Sequence, residues 1–169
     1  MECCIYWHNG VLEYLSIGVL AKALLHYSNI PLPHFKQEEA MARKTIQPKS
    51  SNDPRPRYSQ GILTEGGKVL FIAGQTASDK DGNVVGKGDI KAQTRQVFEN
   101  IKAVLEAAGG SFDNVVMTTT YITDRKYREG YNEVRRDIYK QDPPTSTLVI
   151  VSGLANPDYL IEIAGIAIL

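Results

Sequence analysis

Residues 41–169 of this 169-residue chain contain no histidine, no cysteine and no tryptophan. The three histidines, the two cysteines and the single tryptophan all lie in residues 1–40. Residues 41–169 therefore cannot supply a cysteine nucleophile, a Ser-His-Asp triad, or a metal site built on histidine or cysteine. The reactive groups that remain there are carboxylates, lysines, arginines, tyrosines and hydroxyls.

The chain also lacks a net charge and a long apolar run. Its 19 basic and 19 acidic residues cancel, which argues against a protein that wraps nucleic acid over a broad basic face. No apolar run approaches the roughly 20 residues needed to span a bilayer. Hydrophobic residues make up 43% of the chain, enough for the core of one domain with or without an extension.

Composition changes near Met41, which predicts an N-terminal extension at residues 1–40 and a working domain at residues 41–169. The extension carries two basic and four acidic residues, against seventeen and fifteen in the domain. Residues 11–27 are moderately apolar and favour a helix. The start is not basic, as a secretory signal would be, and Cys3 and Cys4 are adjacent, which does not suit a metal site. The extension is therefore interpreted as a solvated or loosely docked arm, or as translated leader.

The pattern of residues 41–169 predicts an α+β fold with the element order β-β-(β)-α-β-α-β-β. Residues 49–57 favour an extended arm, and a hairpin and a short third strand are predicted at residues 58–64, 69–73 and 84–85. Asp89 is a helix N-cap. The remaining elements are helices at residues 90–108 and 126–140, and strands at residues 114–123, 146–151 and 160–169.

The last two predicted strands are nearly continuous hydrophobic runs, which is typical of strands buried on both faces. Two helices can cover only one face of the predicted sheet. Self-association is the simplest cover for the other face.

Glu162 is the residue that stands out for chemistry. It lies inside the apolar run Leu160-Ile-Glu-Ile-Ala, where a carboxylate is rare unless it is paired or functional. The functional interpretation is that Glu162 acts as a general acid or base. The alternative is that Glu162 forms a structural ion pair or lies on an exposed strand edge. The strand context alone favours neither the functional nor the structural interpretation.

Other candidates are weaker. Tyr58 follows a run of Pro and Arg, and a tyrosine in such a place more often packs than reacts. Asn132 is by default a solvated helix residue. A basic cluster on and before the second helix is interpreted as a solvated face, with anion or RNA contact as the alternative; its members are Arg125, Arg128, Arg135 and Arg136.

Several motifs follow one another in residues 45–169: Tyr58-Ser-Gln-Gly, Ile72-Ala-Gly-Gln, the helix that opens Asp89-Ile-Lys-Ala-Gln, Tyr131-Asn-Glu-Val and Ile161-Glu-Ile. In this order and spacing they resemble the RidA/YjgF (Rid) family of reactive-intermediate deaminases, also called endoribonuclease L-PSP. The resemblance implies a chorismate-mutase-like sheet with two helices packed on one face, and a homotrimer with clefts between subunits. It also implies hydrolysis of enamines and imines to 2-keto acids and ammonia, with no metal or cofactor.

The resemblance assigns roles to individual residues. Glu162 corresponds to the glutamate that positions the attacking water, and Tyr58 to a tyrosine of the catalytic cleft. Gly74 corresponds to a glycine whose backbone faces the ligand, and Asn132 to a helix asparagine near the site.

Two positions depart from the family pattern. Ala73 stands where a serine usually precedes the Gly-Gln pair, and Ser146 stands where the family has an arginine that grips the substrate carboxylate. Ser146 and Thr147 are then expected to contact a less acidic or differently placed group. Arg57, beside Tyr58, is a candidate substitute cation.

The resulting prediction is a Rid-family enamine or imine deaminase with altered substrate choice. The alternatives are a non-catalytic trimer that binds small metabolites and an RNA-acting translation inhibitor. The expected partners are a small enamine or imine and further copies of the chain, with no membrane or nucleic acid. The expected location is the cytoplasm.

The boundary at Met41 yields a test. Gln37-Glu38-Glu39-Ala40 can be encoded by a purine-rich string that resembles a ribosome-binding site, so translation is expected to start at Met41. N-terminal sequencing of protein from the natural host should find Met41 or Ala42 at the start. A mature chain that begins at Met1 would refute the prediction.

Overall fold

The computed structural model describes residues 3–8, 11–16, 42–50, 53–54 and 56–169. The chain divides into two compact units, Met1–Gln37 and Glu38–Leu169. The predicted boundary between an extension and a domain at residues 40 and 41 stays a prediction. In the described ranges, no helix is both long and apolar enough to cross a bilayer.

The first unit contains an antiparallel strand pair, β1 (Cys3–His8) and β2 (Val11–Ser16), in which Cys3 pairs with Ser16 and His8 with Val11. A helix was expected over residues 11–27. That prediction is wrong for Val11–Ser16, and residues 17–27 lie outside the described residues. The two strands are separated in sequence by Asn9-Gly10, the pair most favoured in two-residue hairpin turns, and pairing between strands overrides a weak helix preference.

The second unit begins with a strand pair that the sequence patterns did not predict. Strand β3 (Ala42–Ile46) pairs antiparallel with β4 (Gly61–Glu65). The expected hairpin between β4 and the next strand, β5 (Val69–Thr76), is wrong, because β5 pairs with the last strand of the chain instead. Between β4 and β5, Lys68 exchanges two backbone hydrogen bonds with Leu169, at 2.7 and 2.9 Å, which directs the chain to that partner.

The main sheet has four strands in the order β5-β8-β6-β7. Strands β6 (Val115–Ile122), β7 (Thr145–Ile150) and β8 (Ile161–Ile168) confirm the last three predicted strands to within one residue at each end. Strands β6 and β7 are parallel, and the other two pairings are antiparallel. The optional strand at residues 84–85 is reduced to an isolated bridge between Ser78 and Val84.

Two helices pack on one face of this sheet, as predicted for this fold class. Helix α1 (Ile90–Ala107) starts after Asp89, whose side chain accepts hydrogen bonds from the backbone N–H groups of Lys91 and Ala92 at 2.9 and 3.1 Å. Helix α2 (Arg128–Ile138) is shorter than the expected residues 126–140. Asp124 caps a separate 3-10 turn, Arg125–Tyr127, that precedes α2.

The core lies between the helices and the sheet. Val97, Ile101 and Leu105 of α1 face Ile161 and Ile163 of β8, and all five side chains are buried. Because side chains alternate along a strand, Glu162, which lies between Ile161 and Ile163, points to the other face of the sheet. The predicted amphipathic stripe of α1 is therefore the face that covers the sheet.

Buried Gln93 of α1 holds the segment that leads into β8. Its side-chain N–H donates to the carbonyl oxygen of Asp158 at 2.7 Å, and its carbonyl oxygen accepts from the backbone N–H of Leu160 at 2.8 Å. These bonds satisfy both polar ends of a side chain that would otherwise be costly to bury. They also set where β8 begins.

The face of the sheet away from the helices is open in the single chain. Phe71, Ile166 and Met117 form one row across β5, β8 and β6, and the Phe71 side chain is 76% exposed. Val149 of β7 is also exposed. Burial on both faces was predicted for β7 and β8, with further copies of the chain as the cover of the second face, and it stays a prediction for the assembled protein. In the single chain β7 exposes residues on this face, whereas β8 exposes none.

Candidate active site

Glu162 lies on the open face of the sheet, as the second residue of strand β8. Strand β8 runs between β5 and β6, so Glu162 is not on a sheet edge. Its cross-strand neighbours are Thr76 and Tyr121. Tyr121 and Thr76 were not singled out as site residues, because only the strand register brings them beside the carboxylate.

The surroundings of Glu162 favour a functional carboxylate over a structural one. Its side chain is half-buried. No lysine or arginine in the described ranges forms an ion pair with it. Among the described residues, Glu162 therefore has none of the ion pairs that a structural carboxylate would be expected to form.

Gly74 packs against the carboxylate of Glu162. Strand β5 has an irregularity between Ile72 and Gln75, where the register with β8 shifts. A Cβ atom at Gly74 would clash with Oε1 of Glu162 and lie 2.8 Å from its Cδ. Bulges of this type re-aim the backbone next to functional sites, and here the bulge lets a main-chain segment approach the carboxylate closely.

Ala73 lies in the same bulge. Its side chain is exposed, and its carbonyl oxygen accepts a hydrogen bond from the side chain of Gln75 at 3.2 Å. Alanine offers no hydroxyl at this position, so Ala73 contributes only backbone polar groups on this side of Glu162.

Ser146 and Thr147 fall on opposite faces of β7. Ser146 pairs with Thr118, whose side chain is buried on the helix side, whereas Thr147 pairs with Thr119 and shares the open face with Glu162. The row of Ser146 crosses β8 at Gly165, three residues from Glu162 and two strands away. Within one chain this separation is about 10 Å across the sheet and about 10 Å along it, so Ser146 does not lie beside Glu162.

Arg57 and Asn132 meet in a different place. Both line a cavity of about 250 Å³ whose other walls come from α2. The backbone carbonyl of Arg57 accepts a hydrogen bond from the guanidinium of Arg135, and the hydroxyl of Ser59 donates to the carbonyl of Pro143. These contacts tie the arm that precedes β4 to α2 and to the start of β7. Tyr58 follows Arg57 in this arm and is half-buried.

The predicted site residues therefore form two groups in one chain. The carboxylate group consists of Glu162 and Gly74, with Ala73 beside them on the same bulge. The arginine pocket, as we name the cavity on α2, is lined by Arg57, Arg128, Glu129, Asn132, Arg135 and Arg136. No described residues form a group of three or more histidine, cysteine, aspartate or glutamate side chains suited to a metal ion.

Comparisons with known proteins show a single family. The family profile described as endoribonuclease L-PSP matches residues 49–169. A RutC family protein of Pyrococcus horikoshii is 48% identical over 121 residues, which are 70% of this chain and 93% of that protein.

Solved structures of Rid proteins are also similar to this chain. The Rid family protein YyfB of Yersinia pestis, described as a protein of unknown function, matches with a TM-score of 0.70 and 33% identity, over 75% of this chain and 98% of its own. RidA from the Antarctic bacterium Psychrobacter sp. matches with a TM-score of 0.57 and 33% identity, over 75% and 99%. The shared part of the chain contains both groups of site residues.

The contact between Gly74 and Glu162 is testable. In Gly74→Ala, we expect the Glu162 carboxylate to swing away from the bulge, since the clash involves the end of a flexible side chain. The free energy of unfolding should change by no more than about 1 kcal/mol, because the new methyl group displaces a side-chain end and not the core. A crystal structure and a denaturation curve measure the two effects.

Gly153→Ala is the matched control, because no atom lies within 4 Å of a Cβ at Gly153. It should leave Glu162 in place. A Gly74→Ala structure with an unmoved carboxylate would contradict the proposed packing.

Proposed function

Since the chain belongs to the endoribonuclease L-PSP family, the Rid/YjgF group, we propose that it is a deaminase-type hydrolase that releases ammonia from reactive enamines and imines. The observation that carries the proposal is the Glu162 carboxylate, which lies on a central strand against the main chain of Gly74 and forms no ion pair with any described residue. A carboxylate held in this way is an acceptor ready to take a proton from water.

The reaction assigned to Glu162 is hydrolysis of a C=N bond. Glu162 accepts a proton from a water molecule as the water oxygen attacks the imine carbon. The proton then returns from Glu162 to the nitrogen, which gives the carbinolamine. Glu162 next takes the hydroxyl proton of the carbinolamine and passes it to the nitrogen, the C–N bond breaks, and ammonia leaves as the carbonyl forms. An enamine enters the same route after it tautomerises to the imine. Each proton that Glu162 takes up is returned, so no oxidant, reductant or cofactor is required.

Gly74 and Tyr58 have supporting roles in this proposal. The main chain at Gly74 offers backbone groups next to the carboxylate because no side chain intervenes. Tyr58 lies in the arm that is tied to α2. We therefore propose that Tyr58 and Asn132 reach the substrate from a neighbouring subunit, since one chain does not bring these residues beside Glu162.

A homotrimer would bring the two groups together and cover the open face. Phe71, Met117 and Val149 expose large apolar side chains on the face that also carries Glu162. Exposed apolar rows of this kind mark association surfaces. Covering them with further copies of the chain would exclude bulk water around the carboxylate and leave only the attacking water inside.

The substrate is proposed to differ from the simple amino-acid-derived imines. Ser146 does not lie beside Glu162 in one chain, so it would reach the substrate from a neighbouring subunit and supply at most a neutral hydrogen bond, worth about 0.5–1.5 kcal/mol. A hydrogen bond to a charged group is worth about 1.5–3 kcal/mol. A bidentate arginine clamp would contribute more than one such bond. Small imino acids should therefore bind weakly, and larger enamines with a neutral or differently placed polar group should bind better.

The second candidate function is non-catalytic binding of small metabolites in the same trimer. It is favoured by one specific feature, the serine at position 146 that replaces the carboxylate-binding arginine of the resembled family. Ligand binding without ammonia release from any enamine would support this candidate over the first.

The deaminase proposal predicts ammonia release from freshly generated 2-aminoacrylate or from a panel of larger enamines. Glu162→Gln should lower the rate by about 10²–10⁴-fold, because the amide cannot accept the proton from water. Ammonia is followed by a coupled assay against a buffer blank. Glu106→Gln is the matched control, since Glu106 is exposed on α1 and pairs only with Lys102. An unaltered rate in Glu162→Gln, or no acceleration of any enamine by the wild type, would refute the proposal.

The trimer proposal predicts a solution mass of three times the chain mass of 18.7 kDa. Phe71→Glu should shift this mass towards the monomer, because it places a charge in the apolar row of the open face. Size-exclusion chromatography with light scattering measures the mass. Lys80→Glu, in an exposed loop, should remain trimeric. A monomeric wild-type protein would overturn the proposal.

A further inference from the structure

Tyr121 is the direct neighbour of Glu162 on strand β6. The two residues are opposite each other in the antiparallel pairing of β6 with β8, and Val149 of β7 follows in the same row. Side chains opposite each other in such a pair point to the same face of the sheet, with Cβ atoms about 4.5–5.5 Å apart. The phenol of Tyr121 and the carboxylate of Glu162 therefore stand side by side on the open face.

The hydroxyl of Tyr121 has no hydrogen-bond partner among the described residues. Tyr131 provides the contrast, because it is buried on the helix side and its hydroxyl lies 3.0 Å from Oγ1 of Thr120. Tyr121 is only half-buried, and neither its hydroxyl nor a carboxylate oxygen of Glu162 is among the buried polar atoms that lack a partner. Both groups are therefore open to a molecule on this face of the sheet.

The side chain of Glu162 leans towards β5 and away from β6. A Cβ atom at Gly74 would lie 2.8 Å from Cδ of Glu162 and 3.1 Å from its Cγ, so the carboxylate follows the main chain of the bulge. Tyr121 is on the other side of β8, because β8 separates β5 from β6. This lean leaves the space between the carboxylate and the phenol to a small ligand.

Tyr121 also extends further from the sheet than the other neighbour of Glu162. Side chains of a strand stand roughly perpendicular to the sheet. The hydroxyl of Thr76, which is opposite Glu162 on β5, is attached to Cβ and stays close to the backbone. The hydroxyl of Tyr121 is separated from Cβ by the whole ring, and it can donate a hydrogen bond. Of the two, only the Tyr121 hydroxyl reaches a molecule that lies over the carboxylate.

We propose that Tyr121 is a further catalytic residue, whose hydroxyl donates a hydrogen bond to the imine nitrogen of the substrate while Glu162 holds the attacking water. The hydrogen bond orients the C=N bond and draws electron density away from the carbon that the water attacks. Tyr121 transfers no proton, so the proton transfers assigned to Glu162 are unchanged. The inference rests on the proposed deaminase function and places the substrate nitrogen on the Tyr121 side of the carboxylate.

The test uses Tyr121→Phe in the full chain, which keeps the ring and removes the hydrogen-bond donor. The substrate is the enamine or imine that the wild type hydrolyses fastest, and kcat/KM for ammonia release is compared from mildly acidic to mildly alkaline pH. A protonated imine nitrogen has no lone pair, so it cannot accept the hydrogen bond. The ratio of wild-type to variant kcat/KM should be close to one at acidic pH. It should rise to about threefold to tenfold where the imine is neutral, the effect expected of one neutral hydrogen bond.

Tyr159→Phe is the matched control. Tyr159 is half-buried like Tyr121, but it lies in the loop before β8 and outside the sheet. The control should keep the wild-type kcat/KM at every pH. Thermal unfolding and the solution mass of Tyr121→Phe should match those of the wild type, because the hydroxyl has no partner to lose among the described residues.

Three outcomes would overturn the inference. The first is a Tyr121→Phe variant with the wild-type kcat/KM at every pH. The second is a loss of activity that is equal at every pH, since a structural role of the side chain would have that effect. In both cases an active wild type and an impaired Glu162→Gln would leave the deaminase proposal standing. The third is a wild type that releases no ammonia from any enamine, which overturns both proposals.

Discussion

The central position of β8 is the constraint on which the rest of the structure depends. Strand β8 is hydrogen-bonded to β5 on one side and to β6 on the other. A change in its register, or in the face to which its side chains point, would therefore break the hydrogen bonds of both pairings. Ile161 and Ile163 are thereby fixed in the core under α1. Glu162, between them, is fixed on the opposite face, and Gln93 sets the start of the strand from the helix side.

The sheet separates two kinds of charge. The Glu162 carboxylate lies on the open face, among exposed apolar side chains that a further copy of the chain would cover. The arginines of α2 line a cavity on that helix together with Arg57. Among the described residues, none of these arginines forms an ion pair with Glu162.

Local patterns predicted the elements better than the partners of those elements. Asp89, the apolar spacing of α1 and the β-branched run of β6 act within a few residues, so those elements match expectation. The choice between β4 and β8 as the partner of β5 depends on Lys68 and Leu169, which are about 100 residues apart in the sequence. Strand β3 was missed for a related reason, since Ala42–Ile46 is a strand only because it pairs with β4.

The sequence by itself determined the family and limited the side chains available for chemistry. A domain without histidine or cysteine leaves carboxylates to do acid/base work, and the one glutamate inside an apolar strand is recognisable from its neighbours. Only the tertiary structure decided that Gly74 abuts that carboxylate, that Ser146 faces away from it, and that Arg135 is buried. Each of these three features depends on strand register or on packing between distant segments. A short window of residues encodes neither strand register nor such packing.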